Sequence, residues 1–113
     1  MRIKLAGEFE ERKSMTIAID IDGTWDRDPD LFFDFAWLAK NRGHTVIIVT
    51  GRQQPQEKLD RLYLSRAPVA EIIVSGGELK EDVCKRLGIK VDVWIDDMPG
   101  MVQRCCILED GEV

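Results

Sequence analysis

Aspartates follow two apolar stretches of the chain, at a spacing suited to metal and phosphoryl chemistry. The first stretch ends in Asp20, with Asp22 two residues on, and the later one ends in the pair Asp96-Asp97. If these stretches are neighbouring strands of one parallel sheet, four carboxylates converge at its edge. Two like charges about 4 Å apart repel by roughly 4 kcal/mol at an effective dielectric near 20, so such a cluster raises carboxyl pKa values or binds a cation. Oxygen ligands of this kind suit Mg²⁺, which commonly binds a substrate phosphate as well.

A hydroxyl and a lysine stand where they could serve the same chemistry. Thr50 ends another apolar run and is followed by Gly51-Arg52, and Lys80 lies in the first turn of a predicted helix before the last of these strands. Lys85 and Lys90 are the alternatives to Lys80, but mid-helix and after the helix both positions favour exposure to solvent.

The hydrophobic pattern alternates between short β-branched runs and amphipathic stretches, which predicts alternating strands and helices. Strands are predicted over 16–21, 45–49, 71–74 and 91–95, with a candidate fifth over 105–108, and helices over 30–41, 56–66 and 78–87. Asp30 is predicted to cap the first helix. Short connections between these elements predict an α/β fold: a doubly wound, Rossmann-like, mostly parallel sheet of four to five strands with helices on both faces.

The length and composition fit one globular domain. The 113 residues are 44% hydrophobic and 33% charged, and residues 1–14 carry charge with little periodicity. We therefore predict an N-terminal extension over 1–14 and one α/β domain over 15–113. No apolar run approaches the roughly 20 residues that span a bilayer, and the N-terminus lacks the apolar core of a signal peptide, which predicts a cytoplasmic protein without membrane contact.

The net charge and the cysteines argue against other classes of protein. A net charge of −5 disfavours a general nucleic-acid coat, which needs a basic face, but it is compatible with a local basic pocket. Three cysteines, two of them adjacent, make a poor disulfide framework, and a single histidine without a Cys-x-x-Cys pair makes a poor zinc motif. Cys84, Cys105 and Cys106 are therefore predicted to be small buried hydrophobes.

Taken in chain order, these aspartates, the threonine and the lysine resemble the four motifs of the haloacid dehalogenase-like hydrolases. Asp20-Ile21-Asp22-Gly23-Thr24 after an apolar strand resembles the first motif, and Thr50 at the end of the second strand resembles the second. Lys80 resembles the third motif and Asp96-Asp97 the fourth, and the likeness extends from Met15 to about Pro99. The resemblance implies a small phosphatase of this superfamily.

The resemblance also implies catalytic roles in Mg²⁺-dependent phosphomonoester hydrolysis through an aspartyl-phosphate. Asp20 is expected to attack phosphorus in line. Asp22 is expected to protonate the leaving oxygen and then to take a proton from the hydrolytic water. Thr50 is expected to donate a hydrogen bond to a phosphate oxygen, and Lys80 to balance the charge of the phosphate and the nucleophile.

A metal site and a substrate site follow from the same resemblance. The expected Mg²⁺ ligands are carboxylates and one backbone carbonyl: Asp20, Asp22 through its carbonyl, and Asp96 or Asp97. The expected substrate-binding residues follow two of the strands: Gly23, Thr24, Gly51 and Arg52. Since family members that cleave carbon–halogen bonds lack the second aspartate, Asp22 favours phosphate-ester hydrolysis.

Family members often carry a cap domain over the active site, and this chain leaves no room for one. Five residues separate Thr24 from Asp30, and the later turn is only Ser75-Gly76-Gly77. An open site suits a large substrate, or a small one enclosed by the neighbouring subunit of a homo-oligomer. The expected partner is thus a phosphorylated small molecule or macromolecular end, with a 3′- or 5′-phosphatase acting on nucleotides or nucleic-acid ends as an alternative.

Clustered aspartates of this kind also occur in other classes of protein. A calcium-binding EF-hand loop fails, because aligning Gly23 with its glycine puts Ala18 first and Pro29 twelfth. A signalling receiver domain has its acidic pair after the first strand, whereas here the acidic pair follows the fourth. A catalytically inactive relative that serves as a binding module stays open.

The aromatic residues near the first motif allow two interpretations. Trp25 either stacks on a base or aromatic leaving group, or packs against the first helix. Four aromatic residues at helical spacing are predicted to lie in or near the core: Phe32, Phe33, Phe35 and Trp37.

Overall fold

The computed structural model describes residues 14–51 and 66–103 of the chain. The predicted helix over 56–66, except for its last residue, and the candidate strand over 105–108 lie outside the described residues, as does Arg52. All but the last residue of the predicted extension over 1–14 lies outside them too, so the division into extension and domain stays a prediction. In the described part of the chain, no helix is long and apolar enough to cross a membrane.

The described elements form an α/β fold around a four-stranded sheet whose neighbouring strands are all parallel. The strands are β1 (Thr16–Ile19), β2 (Thr45–Thr50), β3 (Glu71–Val74) and β4 (Val93–Ile95). They lie side by side in the order β3-β2-β1-β4. Continuous apolar runs suit strands that are covered on both faces, as parallel strands usually are. The prediction of an α/β fold with a Rossmann-like parallel sheet is confirmed.

Helix α1 (Pro29–Asn41) begins one residue earlier than predicted, and Asp28 rather than Asp30 caps it. The Asp28 carboxylate accepts a hydrogen bond of 3.2 Å from the backbone N–H of Leu31. Pro29 opens the helix, where its fixed φ fits and its missing N–H has no helical partner to lose. Because the cap must precede that proline, Asp30 falls inside the first turn, where a negative charge favours the helix N-terminus.

Helix α2 (Lys80–Arg86) is shorter than the predicted 78–87. Its first predicted residue belongs to a turn instead, in which the Glu78 N–H donates to the Ser75 carbonyl at 3.2 Å. After the helix, Gly88 has a φ of +78°, in the left-handed region that glycine adopts most readily. The later start makes Lys80 the first residue of α2.

The core lies on both faces of the sheet. Since side chains alternate along a strand, Ile17 and Ile19 point to one face and Ala18 to the other. The first face packs with α1 through Ala36 and Ala39, in a cluster that also contains Val46 and Ile48. The second face packs with α2 through Val83 and Cys84, in a cluster that also contains Ile47, Val49 and Ile73. Each described helix therefore covers a different face.

The aromatic residues around α1 divide between core and surface. Trp25 is buried and stacks on Phe32 with 5.8 Å between ring centroids, so it packs against the first helix and offers no face to a ligand. Trp37, predicted to lie in or near the core, is 38% exposed, and the Lys40 ammonium lies over its ring. Cys84 is buried as predicted, and burial raises the pKa of its thiol.

Candidate active site

The strand order places the ends of β1 and β4 side by side. The chain runs from β1 outward through β2 to β3 and then returns to the other side of β1 as β4. Ligands of parallel sheets bind beyond the carboxyl ends of the strands at such a reversal. The Asp20 N–H donates to the Ile95 carbonyl at 3.0 Å, which brings the residue after β1 beside the end of β4. Asp20 and Asp96 are therefore neighbours at the predicted edge.

Three of the predicted carboxylates converge at this edge. Asp20, Asp96 and Asp97 each offer an oxygen, and these oxygens all lie within 4.8 Å of one another. A set of hard oxygen donors at this spacing fits a divalent cation such as Mg²⁺, which binds carboxylates and completes its shell with water and phosphate. The Asp22 side chain does not join this cluster; Asp22 is partly exposed and lines the adjoining cavity.

Lys80 reaches into the cluster from the first position of α2. Its Nζ lies 2.8 Å from Asp20 Oδ1 and 2.6 Å from Asp96 Oδ2, and its side chain is 4% exposed. The alternative, Lys85, is 71% exposed on the outside of the helix, where it pairs loosely with Glu81 at 3.7 Å. Of these two lysines, the structure brings Lys80 to the carboxylates.

Burial and the attraction between opposite charges act against each other in the Lys80–Asp20 pair. Burial raises the pKa of Asp20 to about 6, and the charge of Asp96 and a hydrogen bond with Asp97 act in the same direction, against the effect of Lys80. Burial disfavours the charged form of Lys80 too, but hydrogen bonds and attraction from Asp20 and Asp96 outweigh it and raise the pKa of Lys80 above its ordinary value. Lys80 is thus a fixed cation, and the Asp20 carboxylate gains from any further positive charge nearby.

The loop after β1 turns sharply at Gly23, next to the carboxylate cluster. Gly23 has a φ of +83°, in the left-handed region that glycine adopts without strain. A β-carbon at this position would lie 2.7 Å from Asp97 Cγ, so only glycine lets the carboxylate approach. The Gly23 N–H donates to Asp26 Oδ1 at 2.9 Å. Gly23 therefore shapes the carboxylate cluster through this sharp turn, and the substrate contact that the resemblance implies for it stays a prediction.

Thr24 holds two of the carboxylates together. Its hydroxyl lies 3.4 Å from Asp20 Oδ2 and 3.2 Å from Asp97 Oδ1, and its oxygen accepts a hydrogen bond of 3.2 Å from the Asp97 N–H. Thr24 is buried, so it contacts the Asp20 and Asp97 carboxylates from the protein interior and not from the solvent side. The structure therefore places Thr24, predicted to bind substrate, as a bridge between β1 and β4.

A cavity of about 220 Å³ opens beside the carboxylates. Its described lining joins catalytic candidates to two methionines: Asp20, Asp22, Gly51, Lys80, Asp96, Met98 and Met101. Thr50 is fully buried at the end of β2, and its carbonyl accepts hydrogen bonds from the Ser75 N–H and hydroxyl. Gly51, directly after β2, is therefore the described residue from this part of the chain that lines the cavity, and the contact of Thr50 with phosphate stays a prediction.

Two features of the site were missed from the sequence. The bridging role of Thr24 depends on Asp97, which lies far along the chain, so no local sequence pattern indicates it. Met98 and Met101 carry a weak signal, because Pro99-Gly100 between them indicates a tight turn that can bring residues three apart together.

Comparisons with protein-family models, with curated proteins and with solved structures found no match for this chain. Function is therefore inferred from the arrangement of the side chains at the carboxyl end of the sheet. The residues that the structure brings together there are Asp20, Thr24, Lys80, Asp96 and Asp97, with Asp22 and Gly51 lining the cavity beside them.

Proposed function

We propose that this chain is a phosphomonoester hydrolase of the haloacid dehalogenase-like type, which uses Mg²⁺ and forms an aspartyl-phosphate on Asp20. The observation that carries the proposal is the position of Asp20. It is a buried carboxylate directly after β1, paired with Lys80 at 2.8 Å and adjacent to two further carboxylates. Phosphoryl transfer to a carboxylate needs such a combination of nucleophile, fixed cation and metal-binding oxygens.

Asp20 is the nucleophile of the proposed reaction. One of its oxygens bonds to phosphorus while the bond from phosphorus to the ester oxygen breaks, and water then cleaves the acyl-phosphate to release inorganic phosphate. Lys80 donates to Asp20 Oδ1 and so fixes the carboxylate, while its charge lies where negative charge builds on the phosphoryl group. Because Lys80 also donates to Asp96, one cation orders two of the three carboxylates.

Asp22 is the general acid and base of the proposed reaction. It lines the cavity together with Asp20, but its side chain stays outside the carboxylate cluster. The side chain proposed to transfer protons is thereby a different one from those proposed to bind the metal ion. Asp22 donates a proton to the ester oxygen as the phosphorus–oxygen bond breaks, and it later accepts a proton from the attacking water.

The side chains that would hold Mg²⁺ are Asp20, Asp96 and Asp97. The ion, when bound, stabilises negative charge on the phosphoryl oxygens as a Lewis acid. Asp96 is already bonded to Lys80 at 2.6 Å and to the Met98 N–H at 2.8 Å. Asp97 instead contacts the Thr24 hydroxyl at 3.2 Å and the Asp20 carboxyl, and neither of these partners is a cation. We therefore assign Asp97 as the stronger metal ligand of the adjacent pair.

The finer description of the fold, a doubly wound sheet without a cap domain, belongs to the same proposal. It is supported by the packing of α1 and α2 on different faces of the sheet. It is also supported by the two connections where a cap could enter. A short 3-10 helix, Trp25–Arg27, fills most of the interval between Thr24 and α1, and residues 75–79 alone join β3 to α2.

Turnover of a broad panel of phosphomonoesters tests the proposal. We expect phosphate release from an aryl phosphate near neutral pH in Mg²⁺ and none in EDTA. Asp20→Asn should abolish it, because an amide cannot form the aspartyl-phosphate. Asp34→Asn, at an exposed position on α1, is the control that should keep full activity.

The composition of the panel separates the alternatives. Nucleotides and oligonucleotides with 3′- or 5′-phosphates decide whether nucleic-acid ends are substrates. If no member of the panel gives Mg²⁺-dependent phosphate release, the proposal is wrong and an inactive binding module is the better interpretation.

A further inference from the structure

Two methionines flank the opening of the cavity. Met98 is 58% exposed and Met101 38% exposed, and both line the cavity that contains Asp20 and Lys80. Single exposed apolar residues are ordinary on protein surfaces. Two that border one small, charged cavity form a continuous apolar surface where a ligand would enter.

One tight backbone turn holds both methionines beside the cavity. Pro99–Met101 form a 3-10 helix that begins directly after Met98, and the Met101 N–H donates to the Met98 carbonyl at 2.9 Å. This hydrogen bond closes the two residues into a single turn, and both side chains line the same cavity. Met98 and Met101 therefore act as a pair rather than as two independent side chains.

Hydrogen bonds connect one end of this turn to Asp96 and the other end to α2, the helix that begins with Lys80. At its start, the Met98 N–H donates to Asp96 Oδ1 at 2.8 Å. At its end, the Val102 carbonyl accepts a hydrogen bond of 2.8 Å from the Glu81 N–H, directly after Lys80 in α2, and the Val102 side chain is buried. The methionine pair is thus held at a fixed position relative to the carboxylates and Lys80.

The described lining of the cavity divides by chemistry. The charged side chains of the lining all have roles in the proposed reaction: Asp20, Asp22, Lys80 and Asp96. The rest of the described lining offers apolar or backbone surface: Gly51, Met98 and Met101. At about 220 Å³ the cavity is smaller than the ~300 Å³ at which pockets begin to enclose whole ligands, so the phosphate occupies it and the adjoining group lies against its opening.

On the basis of the function proposed above, we propose that Met98 and Met101 bind the leaving group of the substrate. They select phosphomonoesters in which an aromatic or apolar carbon skeleton adjoins the ester oxygen. A thioether contact with a ring is favourable. The hydroxyls of a glycerol, sugar or ribose phosphate would instead lose water against the two methionine side chains, which offer them no strong hydrogen-bonding partner. The substrate class is therefore aryl and arylalkyl phosphates.

Two alkyl phosphates with leaving groups of similar basicity separate this preference from the chemistry of bond breaking. We would measure kcat/KM in Mg²⁺ for 2-phenylethyl phosphate and for glycerol phosphate, with wild type, Met98→Gln and Met101→Gln. Glutamine keeps an unbranched side chain of similar length and makes its end polar. The control is Met15→Gln, because Met15 is 37% exposed but directly precedes β1, at the opposite end of the sheet from the site.

We expect wild type to prefer 2-phenylethyl phosphate, and the ratio of the two kcat/KM values to fall about two- to tenfold in each cavity variant but not in Met15→Gln. An unchanged ratio in both cavity variants would overturn the assignment while the phosphatase activity stands. So would a wild-type preference for glycerol phosphate or a nucleoside 5′-monophosphate. Absence of Mg²⁺-dependent turnover with every substrate would overturn the proposed function and this inference with it.

Discussion

Asp20 shows the opposing demands of folding and catalysis at a single residue. A carboxylate that is 6% exposed is costly, and two further carboxylates nearby raise that cost. Lys80 offsets part of it, yet the pKa of Asp20 is still raised to about 6, chiefly by burial. With a pKa of about 6 the group is mostly ionised near neutral pH, beside two further carboxylates and one lysine.

Removal of this charge should change how the stability of the metal-free protein depends on pH. The pKa of about 6 lies above the ordinary 3.8, so the folded protein binds the proton more tightly than the unfolded chain does. The stability that Asp20 contributes is therefore full below about pH 4 and is lost as pH rises through about 6. Asn cannot titrate. As pH rises from about 4 to 7, the unfolding free energy of Asp20→Asn minus that of wild type should therefore increase by on the order of 2–3 kcal/mol.

Denaturant unfolding of both proteins in EDTA at the two pH values measures this difference. Saturating Mg²⁺ is the internal control, since the ion should restore wild type relative to the variant at the higher pH. A difference that stays constant with pH would show that burial does not perturb Asp20.

Asp22 should reveal its role through the leaving group. Asp22→Asn keeps the nucleophile but removes the proton donor, so esters of basic alcohols should suffer most. We expect single-turnover release to fall by about 10²–10⁴-fold for an alkyl phosphate and by much less for a nitrophenyl phosphate, whose leaving group needs little protonation. Rapid-quench measurement of the first turnover is needed, because Asp22 also serves the hydrolytic step. Equal losses for both substrates would contradict the acid/base assignment.

The loop between β1 and α1 organises the site at the scale of an element. It turns at Gly23, bridges to Asp97 through Thr24 and ends in the Asp28 cap of α1. It also buries Trp25 against Phe32 of that helix. The same short segment therefore anchors a helix and positions the carboxylates proposed to bind the metal.

Gly23→Ala should damage the site more than the fold. Gly23 and Gly43 have similar φ values, +83° and +90°, so alanine at either position costs about 1–2 kcal/mol of backbone strain. Only at Gly23 does the new β-carbon meet Asp97; at Gly43 no atom lies within 4 Å of it. We expect both variants to lose similar stability in urea, and Gly23→Ala alone to lose about tenfold or more in Mg²⁺ affinity by calorimetry. Equal affinities in the two variants would remove Gly23 from the site.

The elements also show what the sequence could and could not predict. The bounds of β3 and the presence of the other apolar strands were predictable, because short β-branched runs carry a strong local signal. The start of α1 was misplaced by one residue because Pro29 and Asp28 compete with Asp30 for the helix start. Trp37 was predicted to lie in or near the core because of its helical spacing with other aromatic residues, but Ala36 and Ala39 occupy the buried side of the helix.

At the scale of the whole molecule, the site is a product of the strand order. Asp20, Lys80 and Asp96 are spread over most of the described chain and meet because β4 returns beside β1. Their convergence was predictable once the strands were taken as neighbours. The burial of Thr50 and the bridge through Thr24 were not, because they depend on side-chain packing across strands rather than on any spacing along the chain.

A molecule that gathers three carboxylates at one edge of its sheet should be stabilised as a whole by the Mg²⁺ that we propose it binds. Mg²⁺ at 100-fold excess over its dissociation constant should raise the unfolding free energy by about 2.7 kcal/mol, because only the folded state assembles the site. Asp97→Asn should lose most of this gain. Asp96→Asn should lose less, since Asp96 is already bonded to Lys80 and Met98. Thermal unfolding of each variant with and without Mg²⁺ measures the gain, and the exposed Asp34→Asn should retain all of it. An equal Mg²⁺ response in all three variants would mean that the carboxylates at the end of β4 do not bind the ion.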